Sequence, residues 1–180
     1  MSNLCQEITL PTTPIKGIDD PDGEIALCIL SAINVGAIGN LNELETLCDL
    51  SVRALDEIIE LQDYPVKAAE VSTKSRRSLG IGYIGLAHYL AKNGVKYSDP
   101  KAWELVDRLS EAFQYYLLRA SCDIAEEKGK CTAFDRTKYA DGLLPIDHYK
   151  KEVDEIVTHK QRMAWETLRK DILKYGLRHS

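Results

Sequence analysis

No apolar run in the sequence is longer than a few residues, far below the ~20 that a membrane-spanning helix requires. No basic stretch followed by an apolar one opens it, so no secretory signal is expected. Glycine and proline are scarce, at 11 and 6 of 180 residues, which excludes collagenous and low-complexity chains. The five cysteines, at 5, 28, 48, 122 and 131, include no C-x-x-C pair, and the four histidines are scattered. A zinc site wants its ligands more tightly clustered, so no metal site is expected on this chain. An odd cysteine count without a signal argues for a reducing compartment, and a cytoplasmic location is expected. No lysine and arginine stripe is interleaved with aromatics, so direct nucleic-acid binding is not expected.

What remains is an ordinary globular composition, 44% hydrophobic and 28% charged. A chain of this length can bury roughly 70% of its unfolded surface. Its charge is unevenly spread. Residues 1–63 hold twelve acids against Lys16 and Arg53 alone, whereas residues 64–180 hold sixteen acids against twenty-one lysines and arginines. Two oppositely charged parts are expected to pack as one body.

Along the chain, Lys16-Gly17 and Asp19-Asp20-Pro21-Asp22-Gly23 mark a turn-rich acidic loop. The unalternating run Ile25–Leu30 reads as a strand buried on both faces, although periodicity alone does not separate it from a buried helical segment. Ser31–Gly39 reads as a connection. From Asn40 the spacing is helical, with Asn40 and Glu43 resembling a capping box. Leu44, Leu47, Cys48, Ser51, Leu55, Ile58 and Ile59 form the apolar side of that helix, which should end before Pro65. Leu79–Gly85 reads as a short strand turning into a helix over Leu86–Lys92 that stops at Gly94. Its glycines at 80, 82 and 85 match G-x-G-x-x-G, but only a polar stretch precedes them, so close backbone packing is expected rather than nucleotide binding. Asp99 and Pro100 should start a long helix that ends at Lys128, with Gly129 beyond it. Trp103, Val106, Leu109, Phe113, Tyr116, Leu117, Ala120 and Ile124 make up its apolar face. The remainder reads as loops and shorter helices.

The chemistry concentrates at Asn3-Leu4-Cys5-Gln6-Glu7. If that segment is extended, Asn3, Cys5 and Glu7 share one face. They would form a group of an orienting amide, a sulfur that is a nucleophilic or one-electron centre, and a base. Any three alternate residues share a face, so the bland alternative is a frayed terminus. Each cysteine is likewise either a small buried hydrophobe or redox-active.

Several motifs carry a resemblance beyond these local readings. Ser2-Asn3-Leu4-Cys5-Gln6-Glu7-Ile8 is followed by Gly23-Glu24-Ile25-Ala26-Leu27-Cys28 and Leu30-Ser31-Ala32. Further on stand Val52-Arg53-Ala54-Leu55-Asp56, Gln62-Asp63-Tyr64-Pro65, Arg76-Arg77-Ser78-Leu79-Gly80-Ile81-Gly82, Leu144-Pro145-Ile146-Asp147 and Gly176-Leu177-Arg178. Together they resemble the catalytic large subunit of aerobic class I ribonucleotide reductases, over essentially the whole chain. The resemblance implies an α/β fold, here a mainly helical fragment of that family's ten-stranded α/β barrel. Residues 1–39 would supply the finger loop and one barrel strand, and residues 40–180 a mostly helical part with one further strand near 79–84.

The resemblance also implies roles. Cys5 matches the cysteine that becomes a thiyl radical and abstracts the ribose 3′ hydrogen. Glu7 matches the carboxylate that takes the 3′-hydroxyl proton, and Asn3 the amide that hydrogen-bonds the sugar hydroxyls. Leu4 and Gln6 lie with them in the substrate-binding segment. Cys28 matches one of two cysteines that reduce the substrate and end as a disulfide, with its partner absent from this chain. Cys48, Cys122 and Cys131 match no functional position and are expected to be structural. Implied partners are the rest of the catalytic subunit, a radical-generating small subunit with a metal-dependent radical, a ribonucleoside diphosphate, and thioredoxin or glutaredoxin. ATP and deoxynucleotide effectors would bind regions absent here, and no cofactor is expected on this fragment. Met1 directly before the motif leaves two origins open, a split gene or a truncated sequence. The rival reading is a non-catalytic helical interaction module descended from that enzyme.

Overall fold

A computed structural model describes residues 10–157 and 162–179 of the chain. The acidic loop is a turn, as its composition predicts. The Asp20 carboxylate accepts the backbone N–H of Lys16 at 2.7 Å and of Asp22 at 3.0 Å. An isolated antiparallel bridge between Thr13 and Glu24 closes the loop.

The first strand, β1, spans Ile29–Asn34. It therefore starts four residues later than the strand expected over 25–30, and it takes in residues expected to be a connection. Pairing register explains the shift. β1 runs parallel to a second strand, β2 (Leu79–Ile84), from Ile29↔Leu79 to Asn34↔Ile84. β2 follows directly on the helix Lys67–Arg76 (α2 in chain order), which ends at Arg77 in a left-handed conformation with φ 52°. The first half of the apolar run leans on that helix instead, with Ile25 N–H donating to the Ala68 carbonyl at 3.2 Å. Burial on both faces is also corrected. Ile33 is buried, but Leu30, Ala32 and Asn34 on the opposite face are exposed, because helices cover only one side of the sheet.

Helix α1 spans Glu43–Leu61. Its N-cap is Asn42, two residues beyond the expected Asn40. The Glu43 carboxylate still reaches back to the N–H groups of Gly39 and Asn40 at 3.0 and 3.2 Å, while the Asn40 side chain accepts from Asn42 N–H. Leu44, Cys48, Val52, Leu55, Asp56 and Ile59 are buried, and Ile58, expected inside, is exposed. α2 has no counterpart in the sequence reading. It buries Ala68, Ala69, Ser72 and Thr73, which are too small and polar to print an apolar stripe.

β2 turns through Gly85 (φ 80°), a backbone conformation that favours glycine, into α3 (Leu86–Lys92) as expected. Helix α4 runs Pro100–Lys128 between Asp99 and Gly129, also as expected, about 43 Å long. Leu109, Phe113, Ala120 and Ile124 are buried on it, whereas Trp103 in the first turn is exposed. Short helical turns at Phe134–Arg136 and Pro145–His148, then α5 (Val153–Ile156) and α6 (Trp165–Tyr175), complete the described chain.

α4 is the spine. Its first half packs with α1, α3 and the sheet around Leu44, Cys48, Leu90 and Phe113. Its second half packs with α6 around Cys122, Phe134, Leu168 and Ile172. The acidic first third packs on the basic remainder through pairs such as Glu24–Arg76, Asp56–Arg77 and Glu57–Lys128.

Candidate functional site

Helices cover one face of the β1–β2 sheet and leave the other bare among the described residues. Side chains alternate across a strand. Leu79, Ile81 and Ile33 therefore face α1 and α4, while Leu30, Gly80, Gly82 and Ile84 line the uncovered face. Leu30 and Ile84 are more than half exposed there. Cys28, half-buried one residue before β1, shares the parity of Leu30 and lies on the same side. Its Sγ sits over Gly80, 2.9 Å from the point where a Cβ on that glycine would stand.

The other described cysteines differ. Cys48, Cys122 and Cys131 are buried inside the hydrophobic clusters. Burial pushes the Cys48 thiol up to about 12 and the Cys122 thiol up to about 11, so neither offers a thiolate near neutral pH. Asn3, Leu4, Cys5, Gln6 and Glu7 lie outside the described residues. Among the described residues no group of three or more His, Cys, Asp or Glu side chains could hold a metal ion. None of the described helices is long and apolar enough to cross a membrane.

The sequence reading missed a buried charge cluster behind the sheet. Asp56 on α1 is fully buried. It accepts from Arg77 Nε at 2.7 Å, Arg178 Nε at 3.1 Å, His179 Nε2 at 3.2 Å and Lys128 Nζ at 3.3 Å. Burial alone would raise the Asp56 pKa. The hydrogen bonds from His179 and Arg77 and the charges of Arg77 and Arg178 outweigh it and hold the carboxyl well below the usual range. Burial pushes His179 the other way, towards the neutral form, against the pull of Asp56. The hydrogen bonds fit a neutral ring. Ser121 Oγ accepts the His179 backbone N–H, which leaves its own proton for Nδ1 at 3.0 Å, and Nε2–H then donates to Asp56. The available signal was Asp56 lying in the stripe of Cys48, Val52, Leu55 and Ile59. A cavity of about 210 Å³ beside His179, lined by Leu79, Ile81 and Gln114, is on the helix-covered side, away from the Cys28 face.

Comparison with known proteins places the whole chain in one family. The family model described as "Ribonucleotide reductase, barrel domain" matches residues 1–180, and the chain belongs to that family. The α/β arrangement of two parallel strands backed by helices is a part of that barrel. The chain is 58% identical to the ribonucleoside-diphosphate reductase subunit alpha of Buchnera aphidicola from Schizaphis graminum and 58% identical to that of Haemophilus influenzae. It is 54% identical to the ribonucleoside-diphosphate reductase 1 subunit alpha of Escherichia coli. Each match covers 99% of this chain and 24% of the relative, so the chain spans about a quarter of the length of these curated relatives.

Proposed function

We propose that this chain is the part of a ribonucleotide reductase catalytic subunit that carries the radical cysteine, Cys5, and one member of the reducing pair, Cys28. In this reading it serves the reduction of ribonucleoside diphosphates to deoxyribonucleotides once joined by the rest of the subunit. The observation that carries the reading is the Cys28 sulfur on the uncovered sheet face, in a chain whose other described cysteines are core residues.

Cys5, as a thiyl radical, abstracts the ribose 3′ hydrogen, Glu7 takes the 3′-hydroxyl proton, and Asn3 orients the sugar hydroxyls, with Leu4 and Gln6 completing the binding segment. The 2′-hydroxyl leaves as water. Cys28 and a cysteine outside this chain supply the two electrons, their thiols becoming a disulfide that thioredoxin or glutaredoxin reduces by thiol–disulfide exchange. Sulfur suits both tasks, since it supports a hydrogen-abstracting radical and a reversible two-electron couple. The small subunit's metal-dependent radical supplies the oxidising equivalent that reaches Cys5.

The test is turnover of a ribonucleoside diphosphate by the complete subunit with its small subunit. Cys5→Ser is expected to abolish deoxynucleotide formation, because a serine hydroxyl does not readily yield the needed radical. Cys28→Ser is expected to assemble normally and lose product. Activity retained in either variant removes the role assigned to that cysteine.

A further inference from the structure

We propose that Gly80 is a positioning residue for Cys28, its bare backbone forming the berth in which the Cys28 sulfur lies on the uncovered face of the sheet. This deepens the redox reading of Cys28 given above and rests on it. It adds a residue that touches neither substrate nor radical and acts only through the sulfur.

Two glycines of β2 face the same way and make a natural comparison. Neither Gly80 nor Gly82 has a positive φ, so backbone conformation does not require glycine at either position. Space separates them. A Cβ built on Gly80 would stand 2.9 Å from Cys28 Sγ and 2.5 Å from Leu30 Cδ2, both closer than real Cβ contacts come. A Cβ built on Gly82 would meet nothing within 4 Å.

The two neighbours of Gly80 respond differently to crowding. Leu30 is 56% exposed, and its terminal methyl groups turn aside into solvent cheaply. The Cys28 sulfur hangs one bond from its Cβ, on a backbone held next to the Ile29↔Leu79 pair that starts the ladder. Its only soft response is a change of χ1 well, which re-aims the sulfur. Disulfide formation has narrow geometric demands on sulfur placement and on the dihedral about the new bond. A side chain at position 80 therefore acts on the chemistry of Cys28 more than on the stability of the sheet.

The experiment uses the complete subunit with its small subunit and compares Gly80→Ala, Gly82→Ala and the double variant Gly80→Ala/Leu30→Ala. Three readouts are taken: the thermal midpoint, the rate at which iodoacetamide alkylates Cys28 in the reduced protein, and the yield of Cys28 disulfide after one turnover without reductant. Gly80→Ala is expected to change the alkylation rate and to lower the disulfide yield about tenfold or more, as misplacement of a reacting group by an ångström does. Gly82→Ala is expected to leave the alkylation rate unchanged. Because Leu30 yields cheaply, removing its side chain in the Gly80→Ala background should not restore the disulfide. Equal alkylation rates in the two single variants overturn the proposal, and so does recovery of the disulfide in the double variant. The redox reading fails separately, through turnover retained in Cys28→Ser, and the alkylation comparison decides the berth in either case.

Discussion

Asp56 and Arg77, 21 residues apart and both buried, are joined side chain to side chain and side chain to backbone. Arg77 Nε and Nη2 donate to Oδ1, and Nη2 also donates to the Asp56 carbonyl at 3.0 Å. Arg77 is the one non-glycine residue with a positive φ among the described residues, and it stands at the turn from α2 into β2. The pair thus compensates a carboxylate for the loss of water and anchors a backbone conformation that side chains resist. The strand carrying Gly80 starts two residues later. Removing one partner from a buried pair leaves the other charge uncompensated, which costs about 3–5 kcal/mol. Asp56→Ala is expected to lose about that much in urea unfolding of the dilute 180-residue chain followed by far-UV circular dichroism. A loss under about 1 kcal/mol, the range of an exposed ion pair, would contradict it.

Acid should weaken the same cluster in two separate windows. His179 is neutral in the fold, with its pKa lowered, so below about 6.5 the unfolded chain binds a proton that the folded one does not, and stability falls as pH falls. Asp56 is ionised in the fold with its pKa depressed, so its contribution is intact above about pH 4 and lost only below that. Between pH 7.5 and 5 the thermal midpoint should drop, and His179→Gln should flatten that part of the profile while leaving the loss below pH 4. An unchanged slope in His179→Gln would show that other groups set it.

Much of this was legible where the signals are local. Asp99-Pro100 and Gly129 bracket α4 in the sequence as they do in the fold, and Gly85 and Gly94 bracket α3. β1 was misplaced because its register is set by Leu79, fifty positions on, and ultimately by where Arg77 ends α2. α2 escaped notice because it buries alanines and hydroxyl side chains. The cluster at Asp56 went unread for a different reason, although Asp56 lies in the apolar stripe of α1. Its partners come from 21, 122 and 123 residues away, and only folding brings together Leu55-Asp56, Arg77 and Arg178-His179. For the site, the motifs alone pointed to Cys28. That Gly80 lies under the Cys28 sulfur required the parallel pairing of the two strands.

The bare sheet face makes a prediction for the chain by itself. Leu30 and Ile84 are exposed on it, and the strands have edges with no partner strand among the described residues. Such edges and apolar patches recruit further surface. The isolated chain is expected to bind the dye ANS and to associate in sedimentation, and Leu30→Lys with Ile84→Lys should reduce both. A monomer that binds no dye would show that this face needs no cover.

Whether Cys28 is a working thiol or a core residue is decided by mapping disulfides by mass spectrometry in the assembled enzyme after one turnover without reductant. Cys28 is expected to be linked to a cysteine outside this chain, never to Cys5, with Cys48, Cys122 and Cys131 still thiols. Cys28 recovered as a thiol, in an enzyme whose Cys28→Ser variant still makes deoxynucleotide, would contradict it.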